Sequence, residues 1–307
     1  MNTRIASLAA WASLFSALTL TQPVRALDYP YATPEPQGSG WPLCDEDWGY
    51  VCMPEYLRVP GAFEHQHLPQ LWPVTPSAGT WTTGAMKWVE RHQKLVLDVQ
   101  SKKGPLDVLL LGDSITQGWG GQFGAEFNEA WRAHFQKYKA ANLGVSGDKT
   151  QHLLWRLDHG VVDGLDPRLV VMLIGNNNIH SASQTGTDSI AQGVQLCVAN
   201  VREKFPDAHV LVVMILPAKG PGDRFYKNVK KTNRAIRELN LDNDPKVQLM
   251  DLTAEMLESD GAIKANLFRD DREHLHDTEG YAFFAEKLEP VLDGILERKI
   301  ASVKQSE

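Results

Sequence analysis

Three largely apolar segments constrain the fold of this 307-residue chain more than any other feature. They cover residues 107–111, 169–174 and 209–216, and each one ends at Gly or Pro. A strand with one solvated face alternates apolar and polar residues, whereas a strand buried on both faces is apolar throughout. Segments with helical periodicity separate these runs. The sequence therefore predicts a parallel sheet that helices cover on both faces.

We expect five strands and five longer helices. The predicted strands are residues 107–111, 141–145, 169–174, 209–216 and 247–252. The predicted helices are residues 86–101, 123–140, 189–205, 225–239 and 281–299. This order favours a three-layer α/β/α (flavodoxin-like) fold with a central parallel sheet of about five strands.

The first 26 residues have the features of a secretory signal peptide. Arg4 precedes the apolar segment 5–20, and Val24-Arg25-Ala26 is a small-x-small cleavage pattern. A membrane anchor is the alternative, but the apolar segment is shorter than the roughly 20 residues that cross a bilayer. We therefore predict a secreted or periplasmic protein, with no transmembrane segment once the signal is removed.

Residues 27–85 are rich in Pro and aromatic residues and show no periodicity. Pro breaks helices, so this segment is predicted to be an irregular extension draped over the domain that follows. Its Trp and Tyr side chains either line a sugar-binding surface or cover the edges of the core.

The three cysteines divide into two kinds. Cys44 and Cys52 are close in sequence and are candidates for a disulfide in an oxidising compartment. Cys197 lies on the apolar side of a predicted helix, so we expect it to be buried and inert. The formal net charge of -7 argues against a nucleic-acid partner, because binding phosphates needs a clustered basic surface.

Candidate functional residues follow the predicted strands. Ser114 comes directly after the first strand, Gly147 after the second and the amides Asn176-Asn177-Asn178 after the third. The segment 269–277, rich in acidic residues and histidines, precedes the last helix. Because the carboxyl ends of parallel strands share one edge of the sheet, these groups are expected to meet there. A nucleophile, a base held by a carboxylate and oxyanion donors are the requirements of acyl transfer.

The chain resembles the SGNH (GDSL) hydrolase family. Residues 112–116, Gly147, 175–177 and 271–274 match the four blocks of that family in order. The resemblance runs from about residue 105 to 297. It is closest to the branch that contains the catalytic subunits of platelet-activating-factor acetylhydrolase and bacterial sugar O-acetylesterases. The domain organisation is then a signal peptide (1–26), the extension (27–85) and an SGNH hydrolase domain (86–300).

The resemblance implies a role for each matching residue. Ser114 is implied to be the nucleophile, His274 the base and Asp271 the group that orients it. The N–H of Ser114, the N–H of Gly147 and the side-chain amide of Asn177 are implied to form the oxyanion hole. No metal or cofactor is implied.

One departure from the family leaves an alternative open. His274 is separated from Gly280 by one residue more than the family spacing, and His276 by one fewer. Glu273 with His276 also preserves an acid-x-x-His pattern, although we favour Asp271 with His274. The same segment contains residue types that bind divalent metals, but no helical His-x-x-x-His spacing.

We therefore predict a secreted serine esterase that removes short acyl groups, foremost acetyl groups from carbohydrate. Its partner is a small-molecule or carbohydrate ester substrate. The alternatives are a lipid-directed esterase or lysophospholipase on the same scaffold, and a carbohydrate-binding protein without catalysis.

Overall fold

The computed structural model describes residues 82–101, 103–122, 125–180 and 186–304. Within these ranges the strands are β1 (Gly104–Gly112), β2 (Ala140–Asn142), β3 (Leu165–Leu173), β4 (His209–Val213) and β5 (Val247–Met250). The α-helices are α1 (Thr82–Ser101), α2 (Ser114–Gln117), α3 (Glu129–Phe135), α4 (Thr150–Asp158), α5 (Asn176–Ile179), α6 (Thr187–Lys204), α7 (Arg224–Glu238) and α8 (Glu279–Lys304). Short 3-10 turns lie at Leu241–Asn243 and Ala265–Leu267.

The five strands form one parallel sheet in the order β2-β1-β3-β4-β5. The chain passes outward from β1 to β2 and then returns across β1 to β3. The strand order therefore reverses between β1 and β3. In open parallel sheets, ligands bind at the carboxyl ends of the strands beside such a reversal. The predicted parallel sheet is confirmed, and its topology places the site beside β1 and β3.

The strands are apolar throughout because each face of the sheet packs against helices. Leu109 and Leu111 point into a buried cluster shared with α1, α4 and α6. Val108 and Leu110 point to the opposite face, into a cluster shared with α3 and α8. Successive strand residues alternate between faces, so two apolar layers require the uninterrupted apolar run. The three-layer α/β/α prediction is confirmed.

Several predicted element boundaries are wrong. The helix predicted over 123–140 is much shorter, because the Asn128 side chain caps α3 by accepting from Trp131 N at 2.9 Å. The chain then turns at 136–139 to reach the sheet edge at β2. The strand predicted over 209–216 ends at Val213, although residues 214–216 stay buried.

Helix α4 was not predicted, because four of its eight buried residues are polar, so the sequence does not show which positions face the core: Thr150, Gln151, His152 and Arg156. Helix α1 begins at Thr82, inside the predicted extension 27–85. The predicted signal peptide 1–26, the rest of the extension and the Cys44–Cys52 pair lie outside the described residues. Cys197 is fully buried, as predicted. In the part of the chain that the structure describes, we find no helix with the length and apolarity to span a bilayer.

Candidate active site

Ser114 is the first residue of α2, immediately beyond the carboxyl end of β1. Asp113 caps this turn by accepting from Ile115 N at 3.0 Å. Gly112 makes the sharp exit from the strand possible. A Cβ at this position would lie 2.1 Å from Thr116 Oγ1 and 2.2 Å from the Leu173 carbonyl oxygen. In the Gly-Asp-Ser motif, Gly112 lets the backbone pass close to its neighbours and Asp113 caps the turn. Ser114 presents its hydroxyl to His274.

Ser114, His274 and Asp271 form a continuous chain of contacts. Ser114 Oγ lies 2.9 Å from His274 Nε2, and His274 Nδ1 lies 2.7 Å from Asp271 Oδ2. The carboxylate is an acceptor only, so Nδ1 carries the proton and Nε2 is free to accept from the serine hydroxyl. This is the geometry of a nucleophile, a general base and an orienting carboxylate.

The loop around Asp271 stabilises the charged form of this carboxylate. Its Oδ1 accepts the backbone N–H groups of Glu273 and His274, both at 2.9 Å. Partial burial by itself would raise the pKa of Asp271, but these hydrogen bonds, with that of the imidazole, lower it to about 2. Asp271 is therefore ionised in the folded protein at neutral pH.

The alternative pair, Glu273 and His276, is not brought together. Glu273 is buried and its Oε1 accepts from Asn176 Nδ2 and faces His180 Nε2, both at 2.8 Å. His276 Nδ1 instead lies 2.5 Å from Glu279 Oε2. Glu273 therefore ties the histidine loop to the loop after β3, while His276 contacts the start of α8.

The three consecutive asparagines after β3 have separate roles. Asn178 is buried and hydrogen-bonds Thr150 and Gln151 at the start of α4. Asn176 donates to Glu273, as described above. Asn177 is only half-buried, and its Nδ2 donates to the Asp148 carbonyl at 2.9 Å. An amide nitrogen carries two hydrogens, so this bond orients the group and leaves a second donor.

Gly147 adopts a left-handed backbone conformation with φ of +83°. A Cβ here would meet no atom within 4 Å, so the conformation rather than space favours glycine. The side chain of the neighbouring Asp148 holds this loop in place through its contacts with Trp88 and Arg156.

Asp148 and Arg156 form a fully buried ion pair that sequence reasoning missed. Arg156 Nη2 lies 2.6 Å from Asp148 Oδ2, and both side chains are 0 % exposed. Trp88 Nε1, from α1, donates to Asp148 Oδ1 at 2.6 Å. Arg156 Nη1 also donates to the Leu143 carbonyl at 2.9 Å. The loop 143–148, which carries Gly147, is thus anchored to α1 and α4. Asp148 directly follows Gly147, but nothing in the sequence indicates that it pairs with Arg156.

Asp113, directly before Ser114, is a third buried carboxyl after Glu273 and Asp148. Burial raises its pKa to about 7, against the hydrogen bond from Ile115 N, and the Asp148 and Glu273 carboxylates add to the rise. Within the described part of the chain, its Oδ2 meets no hydrogen-bond partner. No group of three His, Cys, Asp or Glu side chains in the described ranges is arranged to hold a metal ion.

The sequence model of the GDSL-like lipase/acylhydrolase family matches residues 110–282, which include Ser114, Gly147, Asn177, Asp271 and His274. The chain belongs to this family. It is a carboxylic ester hydrolase of the GDSL type, on the α/β fold that the sequence predicted.

A named relative agrees with the family, and a solved structure agrees with the fold. The chain is 31% identical over 224 residues to platelet-activating factor acetylhydrolase IB subunit alpha2 of Homo sapiens, covering 72% of this chain and 90% of that protein. The Rattus norvegicus protein of the same name gives the same identity and coverage. The crystal structure of a GDSL-like lipase from Bacteroides thetaiotaomicron superposes with a TM-score of 0.51 at 18% identity, covering 68% of this chain and 97% of that one. This last likeness concerns the fold.

Proposed function

We propose that this GDSL hydrolase is a serine esterase that uses Ser114 as nucleophile, His274 as general base and Asp271 to orient the imidazole. The observation that carries the proposal is the 2.9 Å contact between Ser114 Oγ and His274 Nε2, backed by the 2.7 Å contact to Asp271. Serine is a weak nucleophile until a base removes its proton.

The reaction proceeds in two halves. His274 takes the hydroxyl proton while Ser114 Oγ attacks the ester carbonyl, and then returns that proton to the departing alcohol. Water, activated by the same imidazole, next attacks the acyl-enzyme and releases the carboxylic acid. The Ser114 N–H, the Gly147 N–H and the second amide hydrogen of Asn177 stabilise the oxyanion in both halves. The Asp148 carbonyl, which holds the Asn177 amide, supports this role.

We further propose that the acyl group is acetyl, that the alcohol is carbohydrate and that the protein is secreted. The names of the curated relatives, which are acetylhydrolases, support acetyl as the acyl group. The resemblance to sugar O-acetylesterases and the signal-like N-terminus support a carbohydrate substrate outside the cytoplasm.

A lipid-directed esterase or lysophospholipase is the second candidate, because the family that the chain belongs to includes lipases. The two candidates differ in their dependence on acyl length. Hydrolysis of p-nitrophenyl esters should fall sharply beyond acetyl in the first case and rise with chain length in the second.

Two matched histidine variants test the mechanism. His274→Ala should abolish ester hydrolysis, whereas His276→Ala should retain most of it. Ser114→Ala should be inactive and should lose labelling by a serine-reactive organophosphorus probe. The reverse result for the two histidines would move the base to His276. Failure of the probe to label wild-type Ser114 would favour a carbohydrate-binding protein without catalysis.

A further inference from the structure

The loop that carries His274 contains one guanidinium without a partner among the described residues. Asp271 contacts His274, Glu273 contacts His180 and Lys219, and Asp277 contacts Arg269. Arg272, which lies between Asp271 and Glu273, is exposed, and no salt bridge joins it to Asp270 or to any other described carboxylate.

The backbone conformation of Arg272 directs its side chain toward Gly220. Its φ is +57°, in the left-handed region that side chains other than Gly and Asn rarely adopt. Two hydrogen bonds hold it there, from Lys219 N to the Arg272 carbonyl and from Arg272 N to the Arg269 carbonyl, both at 2.8 Å. A Cβ on Gly220 would lie 3.0 Å from Arg272 Nη2, so the guanidinium rests against that glycine. Such strained residues concentrate at functional sites.

Arg272 lines a cavity of about 310 Å³ together with residues 219–223. Gly220, Pro221 and Gly222, in the middle of this lining segment, carry no polar side chain. Lys219 joins the cavity to the catalytic loop, because its Nζ donates to the Asp271 carbonyl at 2.7 Å. The volume is at the lower end of the range for small-molecule sites, roughly 300–1,000 Å³.

The lining chemistry defines the ligand. The Arg272 guanidinium offers parallel N–H donors that match a carboxylate. The Lys219 ammonium lies 3.3 Å from Glu273 and is committed to it. Asp223, whose Oδ1 caps α7 by accepting from Phe225 N at 2.7 Å, disfavours polyanions and can accept from hydroxyl groups. A ligand with one carboxylate and several hydroxyls satisfies these groups together.

We propose that this cavity is a subsite for the carboxylate of a sugar acid, with Arg272 as its specificity-determining residue. The proposal rests on the esterase function and names its substrate class: acetyl esters of uronate-type sugars. The carboxylate binds Arg272 while the ester carbonyl is presented to Ser114.

The test compares two substrates that differ only in the carboxylate, O-acetylated methyl glucuronoside and O-acetylated methyl glucoside. The wild type should prefer the glucuronoside. Arg272→Gln should lower kcat/KM for the glucuronoside about 10- to 100-fold, mainly through KM, since a charged hydrogen bond is lost. The glucoside rate should be unchanged. Lys227→Gln, which removes an exposed charge outside the cavity, should change neither rate.

Arg272→Asn separates charge from backbone conformation, because Asn tolerates left-handed φ. It should lose the preference as Arg272→Gln does, and Arg272→Lys should keep part of it. Equal losses for both substrates, or none, would overturn the subsite.

Calorimetry with free glucuronate gives a readout that does not need catalysis. Wild type and Ser114→Ala should bind it, and Arg272→Gln should bind it at least about 10-fold more weakly. Hydrolysis of the glucoside without preference, together with no glucuronate binding, would refute this inference and leave the esterase function standing. Binding that depends on Arg272, without hydrolysis of either ester, would refute the esterase function and retain the carboxylate site.

Discussion

Replacing Arg156 by Leu should lower the midpoint of thermal unfolding substantially. The substitution leaves the Asp148 carboxylate fully buried, with the hydrogen bond from Trp88 Nε1 and the nearby charge of Arg91 still in place. Removing one partner of a buried ion pair costs about 3–5 kcal/mol, because the other charge stays buried without compensation. In a domain of 150–250 residues each kcal/mol shifts the unfolding midpoint by about 2–4 °C. Together these figures predict a fall of roughly 6–20 °C.

Thermal unfolding followed by circular dichroism measures this shift. Arg234→Gln is the matched control, because it removes an Arg–carboxylate contact of 2.8 Å in which the side chains are 81% and 62% exposed. Its midpoint should match that of the wild type, since exposed ion pairs contribute little. The double variant Arg156→Leu/Asp148→Asn should recover part of the loss. An Arg156→Leu midpoint as high as that of the control, or a double variant as unstable as the single one, would refute the argument.

Two further measurements address the site directly. Asn177→Ala should lower kcat about 100- to 1000-fold in a steady-state esterase assay, as loss of an oxyanion donor does, and a small effect would contradict that role. Asp113→Asn should change how stability depends on pH. Burial raises the pKa of Asp113 from 3.8 to about 7, so its contribution to stability is complete below pH 4 and is lost as pH rises through 7. Urea unfolding should show the variant gaining stability relative to wild type between pH 4 and 7, and a constant difference would argue against an ionising Asp113.

Most of the sheet could be predicted because burial on both faces leaves a continuous local signal. The same reasoning placed Ser114, Gly147 and Asn177 at strand ends, and the resemblance assigned their roles. Helix α4 escaped prediction because half of its buried residues are polar, Gln151 and Arg156 among them, so polarity in the sequence does not mark its buried positions. The helix predicted over 123–140 is the opposite error, because it is too long. No local pattern in that segment indicates where the chain must leave the helix to reach the sheet edge at β2.

The choice between His274 and His276 shows where spacing stops being informative. Both histidines lie three residues after a carboxylate. Which carboxylate contacts which histidine depends on the other residues that each group meets elsewhere in the chain. Glu273 meets Asn176 and His180, which come 97 and 93 residues earlier, so it is already engaged with the loop after β3.

Local sequence patterns were enough to predict the layered parallel sheet, the order of the chemical groups along its carboxyl edge and the family. These depend on residues close together in the chain, where hydrophobic runs, Gly stops and short motifs are visible. Three features became visible only in the folded chain: which imidazole faces Ser114, how Trp88 and Arg156 hold Asp148, and the cavity beside Arg272. Those contacts join groups far apart in the chain, and their geometry comes from the packing of whole elements rather than from any local pattern.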